Sequence, residues 1–294
     1  MKRAGYYLFV ALSYTITLLP MRVLLLLSDL LCPVMYHIIR YRRKVVEKNL
    51  RNAFPEKSPE ERKRIEIRFY RHLTDMFFET LKAMHLTPEQ MKRRFFVPDT
   101  SLTDRFYNEG RDVVALSSHY NNWEWFSSMQ LSTKHRAITI YKPLKNKDFD
   151  RYMFRLRSRF GVCITPMSHI IRDLVKCRSE KILTLSGFIG DQTPPRDDIS
   201  YWTTFLNQDT GFYRGAEKVA VKYDMPVIFM HIVKKKRGFY ELEYRLISEH
   251  PREEEPNAIT ARYATMLEEV IRDKPEYWLW SHRRWKYKRP VHND

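Results

Sequence analysis

The sequence predicts an α/β protein in which a mixed, largely parallel sheet is flanked by helices and preceded by a hydrophobic, membrane-anchoring helical segment. Three observations carry that expectation. Beyond residue 110, short β-rich apolar runs alternate with stretches of helical periodicity. The chain begins with two apolar blocks separated by Pro20-Met21-Arg22. Between these regions the pattern is helical, and no Gly/Ser linker or internal repeat divides the chain. The organisation expected is an anchor over 1–40, a helical region over 41–110, and an α/β core over 111–294 that closes in a basic, aromatic segment.

At the amino terminus, GYYLFVALSYTITLL and VLLLLSDLLCPVMYHII follow Met1-Lys2-Arg3. Neither block reaches the roughly 20 apolar residues of an ideal span, so the segment is one interrupted helix or a hairpin lying shallowly in the bilayer. No small-x-small cleavage site follows, which favours an uncleaved anchor over a removable signal peptide. Next comes RYRRKVVEKNLR, where Arg40, Arg42, Arg43, Lys44, Lys48 and Arg51 suit the anionic cytoplasmic leaflet. The plainer alternative is a buried apolar helix followed by a solvated charged one.

From Pro59 to about Leu86, apolar residues recur at mostly three- and four-residue spacing, with Ser58, Pro59, Glu60 and Glu61 as the helix start. Thr87-Pro88 opens a short helix. Strand-like runs follow at 112–117, 137–141, 162–165, 181–189 and 226–233, with helical patterns at 121–132, 147–160, 168–178 and 213–223 between them. Gly238 through Leu246 adds a strand and 256–273 a last helix. In such a sheet, functional groups gather at the carboxyl ends of the strands.

Composition narrows the partners. Against 35 acidic residues stand 52 Lys and Arg, a formal charge of +17 that attracts polyanions: nucleic acid, anionic lipid or an acidic carrier protein. Apolar residues at 44% exclude a disordered chain, and 14% aromatic content suits membrane interfaces or large apolar pockets. Cys32, Cys163 and Cys177 make no disulfide framework and have no paired spacing for zinc. A reducing compartment, with no metal or cofactor, is expected.

The stretch LSSHYNNWEW at 116–125 ends a strand-like run on His119 and places Glu124 five residues on. Five positions along one α-helix turn a side chain about 140° from its partner, so His119 must precede the helix if the two cooperate. Asn121 as N-cap and Glu124 at the third helical position allow that. The same residues are close to a reciprocal capping pattern that needs no catalytic duty. A histidine at a strand end, its tautomer set by a carboxylate, is suited to act as general base toward a hydroxyl. Trp123 and Trp125 either wall an apolar pocket or fill the core.

Two further clusters follow. Tyr141-Lys142-Pro143 precedes a helix carrying Arg151, Arg155 and Arg159 among Phe149, Met153, Phe154, Leu156 and Phe160. An arginine-rich stripe is ordinarily solvated, yet this crowding predicts that at least one arginine packs near the sheet, available to an anionic group. Gly190-Asp191-Gln192 ends another strand-like run, where Asp191 is equally readable as a turn residue. Phe126, Met129 and the aromatics at 201–213 are candidates to line an apolar channel, with core packing the default for each.

Taken together, these segments resemble the lysophospholipid acyltransferase superfamily, and within it the bacterial late acyltransferases of lipid A biosynthesis. H-x4-D/E is matched by His119 to Glu124, Y-R-P by Tyr141-Lys142-Pro143, R-L-R-S by Arg155 to Ser158, the strand-end aspartate by Asp191, and W-x-H-R-R-W-K by WLWSHRRWK at 278–286. The resemblance covers nearly the whole chain. It implies a glycerolipid-acyltransferase-like fold and transfer of a fatty acyl group from acyl carrier protein, or CoA, to a hydroxyl of a lipid acceptor at the cytoplasmic face of the inner membrane. It implies His119 as base, Glu124 as its orienting partner, Arg155 and Asp191 as further active-site residues, and Tyr141, Lys142, Arg159 and Gln192 around the substrate. Lys142 stands where the family usually has arginine, which removes a bidentate anion contact.

Two readings from other classes compete. WLWSHRRWKYKRP interleaves aromatic and basic residues as single-strand nucleic-acid binders do, though the apolar start favours a membrane and no nucleic acid is expected. A lipid-binding protein without catalysis is the other.

Overall fold

The computed structural model describes residues 3–290, so the Met1-Lys2 lead-in of the expected anchor lies outside the described residues. The apolar start forms two helices, α1 (Arg3–Leu18) and α2 (Met21–Pro33), broken at Leu19-Pro20 and prolonged by a π-helical turn, Val34–Ile38. Pro20 ends the first helix and opens the second because it lacks an N–H to continue the ladder. Next come α3 (Arg43–Ala53) and the long α4 (Pro59–Lys82). The start of α4 is a full capping box: Glu61 N–H donates to Ser58 Oγ at 3.2 Å and Ser58 N–H to Glu61 Oε2 at 2.7 Å. Thr87 and Gln90 repeat it for α5 (Pro88–Arg94), which leads to β1 (Phe95–Phe96) and α6 (Ser101–Asn108).

The remaining strands are β2 (Val113–Ser117), β3 (Arg136–Tyr141), β4 (Cys163–Pro166), β5 (Thr184–Ile189), β6 (Tyr201–Phe205), β7 (Gln208–Phe212), β8 (Val227–Lys236) and β9 (Phe239–Ser248). Between them run α7 (Lys147–Ser158), α8 (Ile170–Ser179) and α9 (Gly215–Tyr223), and α10 (Ala258–Asp273) follows. Seven strands form one sheet in the order β1-β9-β8-β2-β5-β3-β4, parallel except for the β8–β9 hairpin. The mixed, largely parallel α/β architecture is as expected. All five residues of β2 are buried because both faces are covered: Val114 and Leu116 face one core, Val113 and Ala115 the other.

Two local expectations change. The helix expected over 121–132 is a 3₁₀ helix, Trp123–Leu131. It starts late because the 119–121 backbone is already paired with 277–279: Asn121 N–H donates to Tyr277 O at 2.9 Å and Leu279 N–H to His119 O at 3.1 Å. Asn121 therefore sits at φ +53° and is not the N-cap; that position is Asn122, which makes no side-chain cap bond. The aromatic stretch at 201–213 is mainly the β6–β7 hairpin, whose Phe205 and Phe212 are interior, as are Phe126 and Met129.

Candidate active site

β2 and β5 are parallel neighbours, with Ser117 opposite Ile189. His119 and Asp191 each lie two residues beyond that last pair, so the register delivers both to one point on the sheet's carboxyl edge. Tyr263, on α10, locks the two ends: its hydroxyl donates to Ser117 O at 2.7 Å, and a Cβ on Gly190 would stand 3.2 Å from its ring. Gly190 is thus the residue that lets the chain pass.

His119 Nδ1 lies 2.8 Å from Asp191 Oδ1. The other oxygen, Oδ2, accepts from His119 N–H at 3.0 Å and from Trp278 Nε1–H at 2.8 Å. A carboxylate can only accept, so we assign the proton to Nδ1 and the lone pair to Nε2. The Gln192 amide nitrogen, 3.1 Å from Nε2, is the matching donor. Burial works to raise the Asp191 pKa, but the neighbouring His119 and the hydrogen bonds from His119 and Trp278 outweigh it and hold the carboxyl below its ordinary value. Trp123 packs edge-on against the imidazole with centroids 5.0 Å apart, whereas Trp125 is wholly core.

The geometry pairs the expected residues differently. Glu124 does not hydrogen-bond His119; both of its oxygens are held by Arg157, through Nε at 2.8 Å and Nη2 at 2.6 Å. The reciprocal cap with Asn121 does not form, since Asn121 Nδ2 donates to Ile232 O. The arginine that packs inward is Arg157, while Arg155 is exposed and Arg159 donates to Leu86 O at 3.1 Å. Tyr141 ends β3 with its ring 6.4 Å from that of Phe154. Lys142 is exposed beside an open cleft of about 510 Å³ lined by Pro143, Leu144, Lys145, Asp150, Arg151 and Phe154.

The closing segment is a strap. Asn49 Nδ2 donates to Trp280 O and His282 O, Arg42 to Ser281 O, Thr193 Oγ to the carbonyls of Arg283 and Arg284, and Trp285 Nε1 to Thr210 Oγ. Trp278, Trp280 and Arg284 are interior, so these two tryptophans offer no platform for bases. Burial pushes His282 down to about 4 and Arg284 down to about 10. Among the described residues, no group of three or more His, Cys, Asp or Glu side chains is placed to hold a metal ion.

Sequence reasoning does not single out Tyr263, and it includes Arg157 and Trp278 only within the R-L-R-S and WLWSHRRWK matches, without their contacts to Glu124 and Asp191. A helix-face argument favoured Arg155 and Arg159 by spacing, while Arg157 sits beside the wholly buried Leu156.

A histidine backed by a buried carboxylate at a strand edge is an arrangement able to take a proton from a bound hydroxyl. Residues 1–287 match the family model described as bacterial lipid A biosynthesis acyltransferase, and the chain belongs to that family. The protein is an acyltransferase. It is 23% identical over 277 residues to the lipid A biosynthesis palmitoleoyltransferase of Escherichia coli (strain K12), an alignment covering 93% of this chain and 88% of the relative. A lipid A biosynthesis acyltransferase of Shigella flexneri matches with the same identity and coverage.

Proposed function

We propose that the protein, working at the cytoplasmic face of the inner membrane, transfers a fatty acyl group from acyl carrier protein to a hydroxyl of a lipid A precursor. The observation that carries this is the His119–Asp191 pair, with Nδ1 occupied and Nε2 directed outward to Gln192. The acceptor hydroxyl displaces the Gln192 amide and gives its proton to Nε2 as its oxygen attacks the thioester carbonyl. Collapse forms the new ester and breaks the C–S bond, and the imidazolium returns the proton to the departing thiolate. Asp191 stabilises the imidazolium and keeps the tautomer. Gln192 then serves the acceptor, and the ion-paired Glu124 and Arg157 form the adjoining wall. The exposed Lys142 and Arg155 suit the acidic surface of the carrier protein.

The test is acyl transfer by the full chain with acyl carrier protein as donor and a lipid A precursor as acceptor, read by mass spectrometry. His119→Ala is expected to fall to background with the fold retained. Product at the native rate in that variant rules the mechanism out. A wild-type enzyme that acylates some other lipid, seen by comparing membrane lipids of cells with and without the protein, rules out the acceptor alone.

A further inference from the structure

The two apolar N-terminal helices are tied to the enzyme by polar bonds as well as packing. Lys82 Nζ donates to Thr17 O at 2.7 Å and Leu19 O at 2.9 Å, satisfying carbonyls that the end of α1 leaves open. On α2, Asp29 accepts from Arg237 at 2.8 Å, Arg237 also donates to Leu25 O at 3.0 Å, and Ser28 donates to Asp75 at 2.8 Å. Phe9 of α1 packs on Phe149 and Tyr152 of α7. By length and composition Met21–Ile38 is apolar enough to cross a membrane. Crossing would strip these contacts and carry Asp29 into hydrocarbon without its arginine, which is strongly unfavourable.

The opposite face is bare. Leu8 is 61% exposed, Leu12 51%, Leu18 59%, Leu26 63%, Leu30 69% and Ile38 76%. Leu8 and Leu12, and Leu26 and Leu30, stand four residues apart, so each helix turns an apolar side away from the protein. From residue 5 to 39 the only charged residues are Arg22 and Asp29, and the exposed Arg40, Arg42, Lys44 and Lys48 follow directly. A charge-poor apolar strip ending in a basic cluster complements an anionic bilayer: acyl chains below the strip, headgroups beside the cluster.

We propose that α1, α2 and the π turn form a monotopic platform that lies in one leaflet of an anionic bilayer and does not cross it. This rests on the membrane association proposed above and specifies its form. The platform borders one wall of the site, and the basic segment that follows it borders the other. On one side α1 lies against α7, whose Arg157 holds Glu124. On the other, Arg42 donates to Ser281 O in the strap whose Trp278 holds Asp191. An acceptor lipid reaches His119 while its chains stay in the leaflet.

Two measurements on the full chain test this. First, Leu19→Cys is made in a chain whose native cysteines are replaced by alanine and which still transfers acyl groups. It is treated with a membrane-impermeant maleimide in spheroplasts. Position 19 is expected to stay unlabelled from the outer face and to react after detergent solubilisation. Labelling from the outer face means that the chain crosses, and sinks the proposal while leaving membrane association intact. Second, the triple variant Leu12→Glu, Leu26→Glu, Leu30→Glu is expected to bind phosphatidylethanolamine–phosphatidylglycerol vesicles at least tenfold more weakly, with unchanged turnover of detergent-dispersed acceptor. Undiminished binding by the triple variant overturns the platform. So does a dimer of the native chain that the substitutions dissolve, because the face then serves a second copy. If the native chain binds no vesicles, the membrane reading itself falls.

Discussion

Asp191 uses both carboxylate oxygens to define one histidine, so a small chemical change there alters two contacts at once. In Asp191→Asn the amide keeps the volume but presents its NH₂ or its carbonyl where two acceptors were needed. His119 is then no longer held with its proton on Nδ1. We expect kcat to fall by about 10²–10⁴-fold with acceptor KM little changed, in steady-state acyl-transfer assays. Glu124 and Arg157 form a bidentate pair with side-chain exposures of 14% and 25%, so water only partly screens them. Arg157→Lys keeps the charge and loses the fork, with an expected cost of about 1–2 kcal/mol in thermal unfolding. In a double-mutant cycle, Glu124→Ala and Arg157→Ala are expected to be far less than additive, and additivity would deny the coupling.

At the scale of elements, α4 positions the turn between His119 and Glu124. Glu79 on α4 is wholly buried; its Oε2 accepts from Asn122 Nδ2 at 2.8 Å and from Tyr240 OH at 2.7 Å, and its carbonyl accepts from Trp125 Nε1 at 3.2 Å. Burial pushes the carboxyl up. One helical residue thus gathers β9, the turn after His119 and the 3₁₀ helix. Glu79→Ala strands two buried donors and is expected to cost about 2–4 kcal/mol, measured by denaturant unfolding in detergent. Glu79→Gln, which keeps an acceptor, is expected to cost less, and equal losses would show that the carboxyl oxygen is not what matters.

For the whole molecule, the buried Asp191 and the partly buried His282 set an acid limit. Asp191 titrates below its unfolded value of about 3.9, so its contribution to stability is present above that pH and is lost as pH falls through the folded value. His282 is held neutral with its pKa lowered to about 4, so between that value and about 6.5 the unfolded chain binds the extra proton. Stability therefore rises with pH across this window and levels above it. In melting curves from pH 4.5 to 7.5, His282→Gln is expected to flatten part of the rise, and an unchanged slope would exclude His282 as a contributor.

The alternation of short strands and helices, the capped start of α4 and the apolar first forty residues follow from local chemistry, because caps, periodicity and hydrophobic runs act over a few neighbours. So does the placement of His119 and Asp191 at strand ends. Their meeting does not. It depends on β2 and β5 pairing in parallel with Ser117 opposite Ile189, a contact between residues 72 positions apart. The same holds for Glu124: spacing pointed it at His119, and the tertiary structure gave it to Arg157 because the 119–121 backbone is bound to the strap at 277–279 before the 3₁₀ helix can begin. Sequence alone placed His119 and Asp191 at strand ends and gave the chain an apolar first segment. Only the packing decided which carboxylate holds the histidine and which face of that segment is left bare, since both depend on long-range pairings that no local pattern encodes.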